Sequence, residues 1–371
     1  RKMRSLLRRA GISRLQTGAA RYTTHANFEA AVGNTPLLRL RGPSEATGCE
    51  IFGKCEFMNP GGSVKDRAAL EIILAAEKSG DLKPGGTIVE GTAGNTGIGL
   101  TAVANARGYR SVIIIPKTQT EEKKMALRQL GARVVEVAAL PYRHPDNYVK
   151  LSGRLAAELG AVWANQFDNL ANRAAHFRTT GPEIWSQTGG RVDAFSCAIG
   201  TGGTLAGTGT YLKQVSGGRV RIGLSDPPGA ALYRWYKEGE LRSEGDSITE
   251  GIGQGRVTKN LEGFAPDPSL IFEIEDAAAL RAAYSLLRDE GLALGLSSGT
   301  NVAGAIEVAR ALGPGHTVVT ILCDLAHRYA SKMFNVEFLR ARGLPEPEWL
   351  ARRAYGDDVD GALARATHGE G

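Results

Sequence analysis

The chain has 371 residues, 42% of them hydrophobic and 23% charged, with 48 glycines, enough to bury a sizeable core in one large or two medium domains. The glycines follow no fixed period, which excludes a fibrous protein, and no run of 18 apolar residues occurs, which excludes a membrane-spanning helix. The net charge of +6 is no signature of a nucleic-acid partner, because it is concentrated at the start of the chain.

Residues 1–25 carry Arg1, Lys2, Arg4, Arg8, Arg9, Arg14 and Arg21 and no acidic residue, leaving 38 basic against 39 acidic residues in the other 346. Arginine, serine and an amphipathic Leu6, Leu7, Ile12, Leu15 pattern fit a mitochondrial transit peptide over 1–24, with Arg21 placed as at a matrix-protease site. A disordered basic tail is the alternative. Mitochondrial localisation is the expectation.

From about residue 50 short β-rich runs alternate with helical periods. Strands are predicted at Thr87–Glu90, Val112–Ile115, Arg133–Val137, Ala194–Ile199, Val220–Leu224, Leu270–Ile274 and Thr317–Leu322. Helices are predicted at Thr96–Ala106, Glu121–Leu130, Tyr148–Leu159, Arg173–Gln187 despite Pro182, Ala277–Arg288 and Val302–Leu312. The strands are continuously apolar rather than alternating, which means parallel sheets covered on both faces. The fold class is therefore α/β with two such units, and residues from Pro345 onward read as a docked Trp349 followed by a loose tail. Cys49, Cys55, Cys197 and Cys323 contain no CxxC pair and read as buried free thiols of a reducing compartment. The six histidines show no metal-ligand spacing, so no metal site is expected.

Two segments carry chemistry. Gly200, Thr201, Gly202, Gly203 and Thr204 lie between a strand and a helix start, where successive N–H groups, two hydroxyls and a helix N-terminus suit a phosphate monoester. Such a turn is as often purely structural. The loop lacks both the dinucleotide GxGxxG pattern with its downstream acid and the Gly-Lys-Ser/Thr of a Walker loop. Asn59–Arg67 (NPGGSVKDR) places Lys65 at the entrance of a helix after a Pro-Gly turn. A phosphate loop together with a loop lysine is what a pyridoxal phosphate enzyme requires.

With these residues in view, the chain resembles the cysteine synthases (O-acetylserine sulfhydrylases) of the fold type II pyridoxal-phosphate family from about Ala31 to Leu350, closest to the mitochondrial or fungal-type branch. The resemblance rests on GNTPLLRL (33–40), NPGGSVKDR (59–67), EGTAGNTG (90–97), QFDNLAN (166–172), TGPEIW (180–185), GTGGT (200–204), EGIGQG (250–255) and GLSSG (295–299). It implies a tryptophan synthase β-like fold with a large cofactor-binding domain (25–60 and 166–345), a small mobile domain carrying the substrate loop (61–165), a tail (346–371) and a homodimer. It implies pyridoxal 5'-phosphate on Lys65 as an imine, with Asn95 on the ring's 3′ oxygen, Gly200, Thr201, Gly202, Gly203 and Thr204 on the phosphate and Ser297, in preference to Ser298, facing the ring nitrogen. Thr92, Gly94, Thr96 and Gln166 correspond to the grip on the substrate carboxylate.

The implied reaction is β-replacement: O-acetyl-L-serine loses acetate through an α-aminoacrylate intermediate, and sulfide adds to give L-cysteine. A hydroxyl at Ser297 cannot hold the ring nitrogen protonated as an aspartate would, which favours loss of a β-substituent over transamination. Other β-replacement or elimination activities (cystathionine β-synthase, β-cyanoalanine synthase, serine dehydratase) and an inactive cofactor-binding paralogue are the alternatives. Two departures from the pattern stand out. Ala93 replaces a serine in the substrate loop. Leu325, Ala326 and His327 replace Ser-Gly-x, and there the alanine is expected to strain a backbone that glycine would otherwise relieve.

Overall fold

The computed structural model describes residues 25–351 and 356–367; the transit-peptide expectation for 1–24 lies outside them. Among the described residues ten strands form two sheets. They are β1 (Leu37–Arg39), β2 (Glu50–Cys55), β3 (Thr87–Gly91), β4 (Arg110–Pro116), β5 (Arg133–Val137), β6 (Val162–Trp163), β7 (Ala194–Cys197), β8 (Arg221–Asp226), β9 (Ile271–Glu273) and β10 (Thr317–Leu322). The smaller sheet, ordered β5-β4-β3-β6, is wholly parallel, with Val89 opposite Val112 and Ile114 opposite Val135. The larger, β1-β2-β10-β7-β8-β9, is parallel apart from its edge strand β1, which runs antiparallel to β2.

Branched apolar side chains point both ways from these strands. Ile113 and Ile115 meet Ile98 and Leu127 on one face of the small sheet, while Val89 and Ile114 meet Ala156 on the other. In the large sheet Phe195, Ile222, Leu224 and Val319 face one core and Ala194, Val318 and Leu322 the opposite one, where Val302 and Val308 lie. Helices therefore cover both faces, as parallel strands require.

Several boundaries differ from expectation. The helix expected over Arg173–Gln187 is two, Ala171–Arg178 and Thr180–Gln187, broken at Thr179 (φ −124°, ψ −67°). Pro182 falls in the first turn of the second, where no N–H is needed. The helix expected from Val302 starts at Leu296. The tail is not loose throughout: Gly356–Thr367 is helical, and Trp349 stacks edge-on against Tyr284 at 5.8 Å.

The chain passes between the sheets at residues 63–65. Ser63 bridges to Asp324, and Val64 N donates to Cys323 O at 2.9 Å, at the end of β10. Lys65 then begins the helix Lys65–Ser79, which packs on Asn95–Ala106 and Ala171–Arg178. Among the described residues no helix is long and apolar enough to cross a membrane.

Candidate active site

Parallel strands aim their C-terminal ends, and the helix N-termini that follow, at one place. Here the loops after β3, β6, β7 and β10 surround a cleft of about 270 Å3. Lys65, Thr92, Gly94, Asn95, Thr96, Gln166, Gly200, Thr201 and Ser297 all line it. Thr204 lines a smaller recess that shares Lys65, Gly200 and Thr201 with the cleft. Gly202 and Gly203 are not part of the lining but shape the turn beneath it.

That turn is built from outside by side chains. Asn172 Nδ2 donates to Thr201 Oγ1 (2.8 Å), and Thr258 Oγ1 donates to Thr201 O (2.7 Å). The His176 ring bridges Thr180 and Thr204 hydroxyls at 2.9 and 3.1 Å. Burial, reinforced by Arg67, pushes the imidazole down to about 3, so a neutral ring orients Thr204. Gly202 has φ 85°, and a Cβ there would meet Leu261 Cγ at 2.5 Å; one on Gly200 would meet Gly251 O at 2.2 Å. Only glycine lets the backbone lie this close.

The loop from Thr92, expected to hold the substrate, opens into the helix Asn95–Ala106. Thr96 Oγ1 donates to Gln166 Oε1, and Gln166 Nε2 donates to Gly91 O at 3.3 Å. Asn95 is held by groups from after β10: its Nδ2 donates to Asp324 Oδ2 (2.6 Å), and Arg328 Nη1 donates to its Oδ1 (2.7 Å). Of the paired serines, Ser297 reaches the cleft, whereas fully buried Ser298 accepts a hydrogen bond from Cys323 N at 2.9 Å.

The expected strain at Ala326 does not occur. Asn34 and Asn165 are the non-glycine residues with positive φ among those described, so Ala326, in a short 3-10 turn, has no need of glycine. Residues 325–327 stay out of the cleft lining, and Leu325 bridges to Leu294 instead.

Sequence reasoning passed over further residues at the cleft. Lys123 and Glu250, both buried, pair across it at 2.6 Å, and Lys332 approaches the other oxygen of Glu250 at 2.7 Å. Tyr148, Phe167 and Cys323 also line the cleft. Glu250 stood within the EGIGQG segment, but no spacing rule tied it to Lys123.

A family model described as "Pyridoxal-phosphate dependent enzyme" matches residues 28–324. The chain belongs to this family. It is 56% identical over 320 residues to "Cysteine synthase 1" of Neurospora crassa, covering 85% of this chain and 84% of that one, and 55% identical to "Cysteine synthase 1" of Emericella nidulans, covering 85% and 86%. Among solved structures it resembles the O-acetylserine dependent cystathionine beta-synthase from Helicobacter pylori, with a TM-score of 0.76, 33% identity and coverage of 84% and 98%. The expected α/β architecture and pyridoxal-phosphate dependence hold.

The cleft fits that cofactor. Gly200 and Gly202 leave bare backbone where any Cβ would collide, Lys65 supplies an amine, and Ser297 offers an uncharged hydroxyl at the first turn of a helix. Pyridoxal phosphate would be held by Lys65, the 200–204 turn, Asn95 and Ser297.

Proposed function

We propose that this enzyme forms L-cysteine from O-acetyl-L-serine and sulfide. The observation that carries the reading is the convergence of Lys65, the 92–96 loop with Gln166, and the 200–204 turn on one small cleft. Bound pyridoxal phosphate supplies a sink for the electron pair left when the Cα proton departs. Thr92, Gly94, Thr96 and Gln166 grip the substrate carboxylate, and Lys65 Nζ takes the Cα proton and returns it at the end. The Cβ–O bond breaks with acetate leaving on its electron pair, and a Cβ–S bond forms to sulfide. Ser297, a neutral partner for the ring nitrogen, keeps the chemistry on β-replacement.

The test is direct: holoenzyme given O-acetylserine and sulfide releases cysteine and acetate in equal amounts. Release of pyruvate without cysteine, or no turnover, overturns the reading. We further infer that residues 61–165 move as a small domain against 25–60 and 166–345, that the chain is a homodimer, and that residues 1–24 direct mitochondrial import and are removed near Tyr22. Relative motion of spin labels on the two sheets, light scattering of the purified protein and N-terminal sequencing of the cellular protein check these three.

A further inference from the structure

Glu90 is the penultimate residue of β3, two positions before the substrate loop, and is 0% exposed. Neither of its carboxylate oxygens has a well-formed hydrogen bond. Nearby, Trp163 Nε1 and Asn165 Oδ1 are also buried without partners, and Asn165 holds a positive φ of 48°. Buried polar atoms left unpaired in this way call for an explanation. The groups closest to closing on Glu90 are the backbone N–H groups of Asn165 and Gln166 and the Gln166 side-chain amide. Gln166 is also the residue that Thr96 engages at the edge of the cleft.

We propose that Glu90 is a positioning residue for the substrate carboxylate: uncharged, it leaves the Gln166 amide free for the substrate, and ionised, it draws that amide away. This rests on the reading of Gln166 as a carboxylate anchor. The physical basis is competition for one donor. Gln166 has a single NH2 group and already gives one proton to Gly91 O, so a buried carboxylate and a substrate carboxylate contend for what remains. Two carboxylates in one dry site also repel.

No ion pair offsets the charge of Glu90 among the described residues. The elements packed on β3 leave it no cation. The helix Lys65–Ser79 meets Ile88 through Ala69, Ile72 and Ile73, but its Arg67 pairs with Glu56 and Glu183 and its Lys65 lines the cleft. The helix Asn95–Ala106 and β6 contain no titratable residue, and Arg110 of β4 stands opposite Thr87 at the exposed far end. The helix Tyr148–Glu158 carries Lys150, Arg154 and Glu158 away from it, and only the Tyr148 hydroxyl, pushed up to about 12 by burial and by Glu90, is electrically coupled to it. Burial pushes the Glu90 carboxyl up to about 8, so the switch falls just above neutrality.

The test uses 3-acetoxypropionate, which keeps the carboxylate and ester of the substrate but has no amine to titrate. Its inhibition constant against the holoenzyme is measured from pH 6.5 to 9.5. With the carboxyl at about 8, the wild type should bind about fivefold more weakly at pH 9 than at pH 7, the effect of a coupling of one pKa unit. Glu90→Gln should match the wild type at pH 7 and show no rise, with Glu90→Met as a second non-ionisable variant, while kcat changes little in either. A flat wild-type profile, or the same rise in the variants, overturns the proposal. If the enzyme forms cysteine and the profiles coincide, only this inference fails; if it forms none, the functional reading fails with it.

Discussion

Arg328 and Asn95, 233 positions apart, are joined by a 2.7 Å hydrogen bond from guanidinium to amide oxygen. The same guanidinium donates to Gly61 O at 2.5 Å, just before Lys65, and Asp324 accepts from the Asn95 amide nitrogen. With both ends of its amide engaged, Asn95 has one orientation and would offer the ring's 3′ oxygen a fixed donor. The unusual 325–327 segment preserves the two residues that matter on either side of it.

Arg328→Ala should therefore loosen cofactor binding without unfolding the chain. A hydrogen bond to a charged group contributes about 1.5–3 kcal/mol, so a roughly 10- to 100-fold weaker dissociation constant is expected from titration of the apoenzyme. Unchanged affinity would show that Asn95 holds its orientation unaided.

Borohydride reduction of the holoenzyme followed by peptide mapping should place the pyridoxyl group on Lys65. Label on Lys123, which is occupied by Glu250, would contradict the assignment.

Gly202→Val should yield apoprotein. The added Cβ collides with Leu261 and demands a left-handed backbone, so cofactor absorbance is lost even at high added concentration, while far-ultraviolet circular dichroism persists.

Much of this was readable in advance, and the exceptions have physical causes. β4 and β10 carry the runs of valine and isoleucine expected of buried parallel strands. β2 escaped because Lys54 interrupts it, a fully buried lysine whose ammonium pairs with Glu183 at 2.6 Å. The Leu296 helix start was hidden by Ser297, Ser298 and Gly299, residues typical of turns. The site motifs were legible because loops after parallel strands must carry them. Glu90 was not, since its lack of partners follows from packing that leaves no signature in sequence.

Replacing Ser297 by Ala should cost on the order of 1 kcal/mol, one neutral hydrogen bond. Ser297→Asp should bind cofactor but slow cysteine formation more, since a carboxylate stabilises a protonated ring by a charge-assisted bond. Equal rates in the two variants would show that the ring nitrogen does not control the reaction.

Acid stability should depend on Glu56 and Arg67. Burial would raise the Glu56 carboxyl, but Arg67, with nitrogens 2.7 Å away, and Thr35 bring it to about 2. A group depressed from 4.5 in the folded state stabilises fully above about pH 4.5, and that contribution is lost as pH falls toward 2. Arg67→Met strands Glu56, while Glu183 keeps Lys54 at 2.6 Å, and should cost about 3–5 kcal/mol at pH 7, with the deficit shrinking in acid. A pH-independent deficit in denaturant titrations would point to lost packing alone.

The crossing at residues 63–65 has a mechanical meaning. Ser63 and Val64 are fastened to the end of β10, and Lys65 is the next residue along. If the four-stranded sheet swings relative to the six-stranded one, points far from this fastening sweep the largest arcs, and Thr92–Thr96 ride on the swinging part. Lys65 would then sit at the pivot. The group proposed to carry the proton would be the one whose position a closing movement disturbs least, so the cleft could open for a product and shut on a substrate while the amine keeps its place.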